Sequence, residues 1–190
     1  MKPHLRVLGL DDSAFSFDEQ EVVVVGAVVR LPNYLEGVLK TTVEVDGTDA
    51  TDRLVEMIGG SRYGENLAAI FIDGIALGGF NVIDIEALNS NLRTPIVTVT
   101  RDRPDLGSMK TALKAKFQDW EGRFELISKT ELHEVETEHK PLFVQIVGED
   151  LKIIKDMIAK STVLGVLPEP IRMAHLIATA IKTGESHGRA

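Results

Sequence analysis

The chain has 190 residues, 44% hydrophobic and 26% charged, with a formal net charge of −8. That length suits one domain with a real core, residues 1–190, and the composition excludes a disordered chain. The acidic balance argues against a broad basic face that tracks phosphates, and the absence of cysteine excludes disulfides, thiol catalysis and cysteine-ligated zinc. A cysteine-free chain fits a reducing compartment, so the expected location is cytoplasmic. No apolar run approaches the ~20 residues of a membrane span. The opening MKPHLRVLGL runs straight into acid and does not read as a signal peptide.

Residues 5–10 predict a short buried strand that ends in two adjacent carboxylates, Asp11 and Asp12. Residues 21–31, EVVVVGAVVRL, are too rich in β-branched side chains for a helix. Residues 37–45, GVLKTTVEV, read as a third strand, and PNYLEG before them carries the Pro, Asn and Gly of a hairpin turn. GTDATDRLVEMIGG then predicts a helix capped by Thr48 or Thr51, with Leu54, Val55 and Ile58 inward. A second continuous apolar run, at 67–72, ends in Asp73 and Gly74 and suits a strand buried on both faces. Residues 80–92 have helical spacing, 95–100 read as a strand and 106–117 as a basic amphipathic helix. Short strands are expected at 124–127, 132–135 and 142–147, and helices at 150–160 and 168–182. Three strands without a helix, then helices alternating with strands, predict an α/β fold. Its sheet is mixed, three antiparallel strands followed by parallel ones, with helices on its faces.

If the runs ending in Asp11 and Asp73 are parallel neighbours, both acids lie at one end of the sheet. Ligands of open α/β sheets bind there, outside the carboxyl ends of the strands. A third acid is available at the start of the first helix, as Asp49 or Asp52. Three carboxylates at one point need a cation to stay ionised. Oxygen-only ligands favour a hard ion, Mg²⁺ or Mn²⁺. The bland reading competes: Asp after a strand is a common turn residue, and the turn pair Asp-Gly occurs at 46–47 and 73–74. On composition and spacing alone that reading is the stronger. The glycine-rich stretch 74–80 matches no Walker or dinucleotide pattern. Arg101, Arg103, Lys110, Lys114 and Lys116 read first as a solvated helix face, and Phe117 and Trp120 as core aromatics.

Four stretches, in order and spanning most of the chain, resemble the endonuclease V family. VLGLDDS is similar to the family's first-strand VAGVDVSY, and LAAIFIDGIALGGF to its LLLVDGxGxAHP. RTPIVTVTRDRP is similar to its PTIGVAKxxL, and GVLPEPIRMAHLIATAI to its RLPEPTRLAH, the most specific match. The resemblance is to a largely archaeal, uncharacterised branch of endonuclease V homologues. It implies a ribonuclease H-like fold, whose element order is the one read above. It also implies Mg²⁺-dependent hydrolysis of a phosphodiester near inosine or deoxyinosine, in DNA or RNA that is single-stranded or carries a modified base. Asp11 matches the first catalytic aspartate and Asp73 the third acid. Asp52 falls where the family has a glutamate, so the implied metal ligands are Asp11, Asp52 and Asp73. His175 matches the histidine of the last motif and joins the catalytic set. Arg101 stands where the family has a lysine near the scissile phosphate, and Gly74 is expected against the substrate.

Three departures set limits on that carry-over. The family's PYVPG wedge is replaced by VEVDGTDAT, and DGxGxAHPR by DGIALGGFN. Its SxGHR becomes IVGEDLK, so Glu149 and Asp150 stand in place of a basic pair. These losses support an alternative expectation, a nucleic-acid-binding or regulatory homologue without turnover.

Overall fold

The computed structural model describes residues 5–186. Strand β1 (Arg6–Asp12) pairs antiparallel with β2 (Glu21–Arg30), which pairs antiparallel with β3 (Tyr34–Glu44). On its other side β1 pairs parallel with β4 (Ala69–Asp73), and β4 pairs parallel with β7 (Ile96–Thr100). A hairpin of β8 (Leu132–Val135) and β9 (Leu142–Val147) completes the sheet through an antiparallel β7–β9 pair. The order is β3-β2-β1-β4-β7-β9-β8. Both apolar runs that end in acid thus lie side by side at the centre and point the same way.

Helices cover both faces of this sheet. On one lie α1 (Ala50–Gly59), α2 (Ile85–Leu92), α3 (Leu106–Lys116) and α4 (Trp120–Ser128). They bury Leu54, Ile58, Leu88, Leu113 and Ile127 against Leu8, Leu10, Ile70 and Ile72. On the other lie α5 (Leu151–Ser161) and α6 (Glu169–Thr183). Ile154, Ile158 and Ile171 pack there against Val7, Phe71, Val97 and Val99, while Ala174 and Ala178 meet Val25, Ala27 and Val29. The alternation of side chains along each strand is what divides the apolar runs between two cores. No helix among the described residues is long and apolar enough to cross a membrane.

Three local expectations differ from the structure. Residues 124–127 lie inside helix α4 rather than in a strand. A four-residue apolar window cannot distinguish the two, and here the pairing of Arg123 with Asp119, one helical turn earlier, favours the helix. The Arg123 guanidinium also donates to the carbonyls of Asp46, Gly47 and Phe80, tying α4 to two loops. The residue that opens α1 is Asp49, while the Thr51 hydroxyl inside the helix accepts the Asp84 N–H. Finally, helix α2 begins only at Ile85, after a small hairpin of β5 (Ala76–Leu77) and β6 (Asn81–Val82).

Candidate active site

The two carboxylates of the first strand are its last two residues, still paired with β2 through Asp11–Val25 and Asp12–Val24. Successive strand side chains point to opposite faces, so the adjacent acids leave the end of β1 in opposite directions while staying close enough for their charges to interact. Asp11 faces α6. Its Oδ2 lies 2.8 Å from Nδ1 of His175, and its Oδ1 accepts the Asp12 backbone N–H at 2.8 Å. Asp12 faces the β5–β6 hairpin, where its Oδ2 accepts the Gly78 N–H at 2.5 Å. Asp73 closes β4, the parallel neighbour of β1.

Helix α6 reaches Asp11 because Gly9 has no side chain. A Cβ there would overlap the carbonyl carbon and oxygen of Pro170, an impossible contact. Two residues along the strand advance about 6.6 Å, and five along a helix about 7.5 Å. The close approach at Gly9 and Pro170 therefore brings the turn of α6 that carries His175 level with Asp11, and the His175 side chain closes the remaining distance with its 2.8 Å hydrogen bond. Glu169, buried in the first helical turn, is neutralised by Arg172 through two hydrogen bonds of 2.9 and 2.6 Å. The proline-rich motif thus acts as a helix start that carries His175 into place.

Burial and mutual repulsion both act on the carboxylates of this site. Burial, followed by the charge of Asp11, pushes the Asp73 carboxyl up to about 6, against the opposing charges of Arg101 and His175. Asp12 is likewise pushed up to about 6, by burial first, with the charge of Asp11 adding to it, although the Gly78 N–H works against the rise. The hydrogen bond to Asp11 raises His175 above its ordinary value, with the charges of Asp11 and Asp73 adding to it. Arg101 follows β7 as an exposed residue near enough to act on both Asp73 and His175. The structure therefore gathers Asp11, Asp12, Asp73, His175 and Arg101.

Asp52 is not part of this group, which corrects the expected trio of Asp11, Asp52 and Asp73. Among the described residues, no three acidic or imidazole side chains are assembled as a cation cage. The reason lies in the helix. Ala50, Leu54 and Ile58 form the buried stripe of α1, and at 100° per residue Asp52 falls on the opposite, exposed side. Asp49, the other candidate, is used structurally: its carboxylate accepts from the Glu44 N–H at 3.1 Å and the Asn81 amide at 2.7 Å. Two carboxylates still fit a hard divalent ion by chemistry. Mg²⁺ is commonly held by one or two carboxylates, with water and phosphate oxygens completing its shell. Asp11 and Asp73 offer that donor set, and their surplus charge favours a cation.

Gly74, with φ of +77°, turns the chain away from Asp73 and opens a cavity of about 530 Å³ under α3 and α4. Thr98, Thr130 and Gln145 line it with Gly74, Phe80 and Met109. These three polar residues were missed in the sequence. Their signal was faint but present: Thr98 in PIVTVT and Gln145 in LFVQIV put polar side chains in strands of an otherwise apolar core.

A family model described as Endonuclease dU matches residues 3–182. A UPF0215 protein of Methanothermobacter thermautotrophicus is 42% identical over 192 residues, covering 100% of this chain and 94% of the relative. A solved protein of unknown function from Archaeoglobus fulgidus is 35% identical with a TM-score of 0.83, covering 93% of this chain and 98% of that one. Endonuclease V of Ciona intestinalis, solved with DNA containing an inosine followed by a ribo-adenosine, has a TM-score of 0.55 at 16% identity. That likeness covers 90% of this chain and 83% of the other, and it speaks for the fold: a mixed, ribonuclease H-like sheet.

Proposed function

The chain belongs to the endonuclease dU family, and on that premise we propose that it is a divalent-metal-dependent endonuclease. It cleaves a phosphodiester beside a deaminated base in DNA or RNA, with deoxyuridine the first substrate to test and deoxyinosine the second. The observation that carries this reading is the pair of carboxylates, Asp11 and Asp73, at the ends of adjacent parallel strands. One is hydrogen-bonded to His175, and the other is pushed up to about 6 by burial and by the charge of Asp11.

Asp11 and Asp73 would hold a Mg²⁺ or Mn²⁺ ion. Such an ion supplies Lewis-acid stabilisation of phosphate oxygens and activation of a water. The chain's own residues do the rest. Arg101 offers a guanidinium to the phosphate as its charge grows. His175, held at Nδ1 by Asp11, keeps its imidazole oriented and leaves Nε2 as a proton donor or acceptor. Asp12 fixes the β5–β6 hairpin beside the site through Gly78.

The outward position of Asp52 favours one other reading, a nucleic-acid-binding homologue without turnover. A single assay separates the two. Single-stranded oligonucleotides carrying one deoxyuridine or one deoxyinosine are incubated with Mg²⁺ or Mn²⁺ and with the parent, Asp11→Asn or Asp73→Asn. The nuclease reading expects metal-dependent cutting by the parent and a loss of about 100-fold or more in each variant. Binding without cutting by the parent, across both metals, would establish the other reading.

A further inference from the structure

The cavity beside Gly74 combines an apolar and a polar lining. Its walls include Ile75, Phe80, Met109, Ile127 and Leu132, which suit a flat apolar face. Its floor is polar. Thr98 of β7 and Gln145 of β9 are directly paired across the sheet. The Gln145 Nε2 donates to the Ile127 and Thr130 carbonyls, both at 2.9 Å. Carbonyl oxygens only accept, so these two bonds fix which end of the amide is nitrogen. Oε1 is thereby left as an acceptor, and among the described residues it receives one long 3.4 Å approach from the Thr98 hydroxyl, whose oxygen accepts the Gln145 backbone N–H at 3.3 Å. Thr130, on the same wall, carries a buried hydroxyl with no partner among the described residues. Native proteins seldom leave such a group unpaired.

An apolar slot that ends in a fixed acceptor flanked by hydroxyls is complementary to a ring N–H flanked by carbonyls. Deamination creates that pattern. The cytosine ring N3 carries no hydrogen and its neighbour is an amine; in uracil N3 carries a hydrogen between two carbonyls. We infer that this cavity takes the extruded base of the substrate, with Gln145 Oε1 accepting its imide N–H and the Thr98 and Thr130 hydroxyls serving the adjacent carbonyls. Gln145 is then the residue that tells uracil from cytosine. Cytosine would set its N3 lone pair against Oε1, two acceptors facing each other. The inference rests on the proposed cleavage beside a deaminated base and names the chemistry by which that base is read.

The test is binding in the absence of metal, which separates it from cleavage. Fluorescently labelled single strands carrying one deoxyuridine, deoxycytidine or N3-methyldeoxyuridine are titrated into the parent chain in chelator. Deoxyuridine is expected to bind about tenfold tighter or better than deoxycytidine. N3-methylation, which removes the hydrogen while keeping both carbonyls, is expected to abolish the preference. Gln145→Met should do the same from the protein side. Equal binding of deoxyuridine and its N3-methyl analogue by the parent would overturn the inference, whether or not the Met variant folds. A deoxyuridine preference without any metal-dependent cutting would keep the slot and overturn the nuclease reading. Cutting without base preference would do the reverse.

Discussion

The two ends of β1 treat negative charge in opposite ways. At its start, Glu36 receives two hydrogen bonds of 2.7 Å from Arg6 and lies 3.1 Å from Arg30. Those guanidiniums hold its carboxyl down to about 2. At its finish, Asp12 and Asp73 are pushed up to about 6, by burial first and by the charge of Asp11, with His175 opposing at both and Arg101 at Asp73. One strand thus has a carboxylate held charged by two guanidiniums beside its start and carboxylates held up by burial and mutual repulsion at its finish. A structural ion pair needs no outside partner, whereas a surplus of buried charge is a standing affinity for a cation.

The sharpest way to break this contrast is to separate β1 from α6. Gly9→Ala places a methyl where the Pro170 backbone lies, and backbone cannot swing aside as a side chain can. The expected loss of stability is about 3 kcal/mol or more, at the upper end of overpacking effects. Any folded fraction should also lose the Asp11–His175 hydrogen bond. Urea denaturation gives the first, and the His175 ring chemical shifts give the second. A variant with parental stability would show that α6 is not held at Gly9.

A smaller effect of opposite sign is expected at the far end of the same strand pair. Asp73→Asn removes a partly buried charge that Asp11 disfavours. Discounted for its partial exposure, the relief amounts to about 1–2 kcal/mol. In chelator the variant should melt about 2–8 °C above the parent. Mg²⁺ should narrow that gap by stabilising the parent alone. A variant less stable than the parent in chelator would mean that the Asp73 charge is satisfied within the chain, and that this end of β1 holds no surplus.

How much of this was legible in the sequence follows from the physics of each element. The long β-branched and apolar runs at 5–10, 21–31 and 67–72 announced the central strands, because a strand buried on both faces has no other composition open to it. That Asp11, Asp73 and His175 lie near one another followed from the motifs that hold them. Asp52 was misplaced because sequence position put it at the helix start, but only the buried stripe of Ala50, Leu54 and Ile58 says which way it points. The strand expected at 124–127 failed for want of length. The slot was invisible because its polar lining comes from Thr98, Thr130 and Gln145, which are separated in the chain and meet only through the β7–β9 pairing and the hydrogen bond of Gln145 to the Thr130 carbonyl. The low charge compensation around Asp73 is likewise a property of assembly, as each acid alone resembles an ordinary turn residue.

The last test sharpens the contrast from the neutralised end. Glu36 has a depressed carboxyl in the folded chain, about 2 against an ordinary 4.5. A depressed acid contributes stability that is fully present above its unfolded value and disappears as the pH falls through its folded value. The contribution of Glu36 should therefore be whole above about pH 5 and fade between about pH 4.5 and 2. Glu36→Gln removes it at every pH and leaves Arg6 and Arg30 facing each other uncompensated. The comparison to make is the difference in urea midpoint between parent and variant, at pH 7 and again at pH 3, so that other acids cancel. The difference should be small, as for exposed ion pairs generally, in the parent's favour at pH 7 and smaller at pH 3. A gap that stays constant with pH would mean that Glu36 acts by packing against its neighbours, and the two ends of β1 would then differ in shape more than in charge.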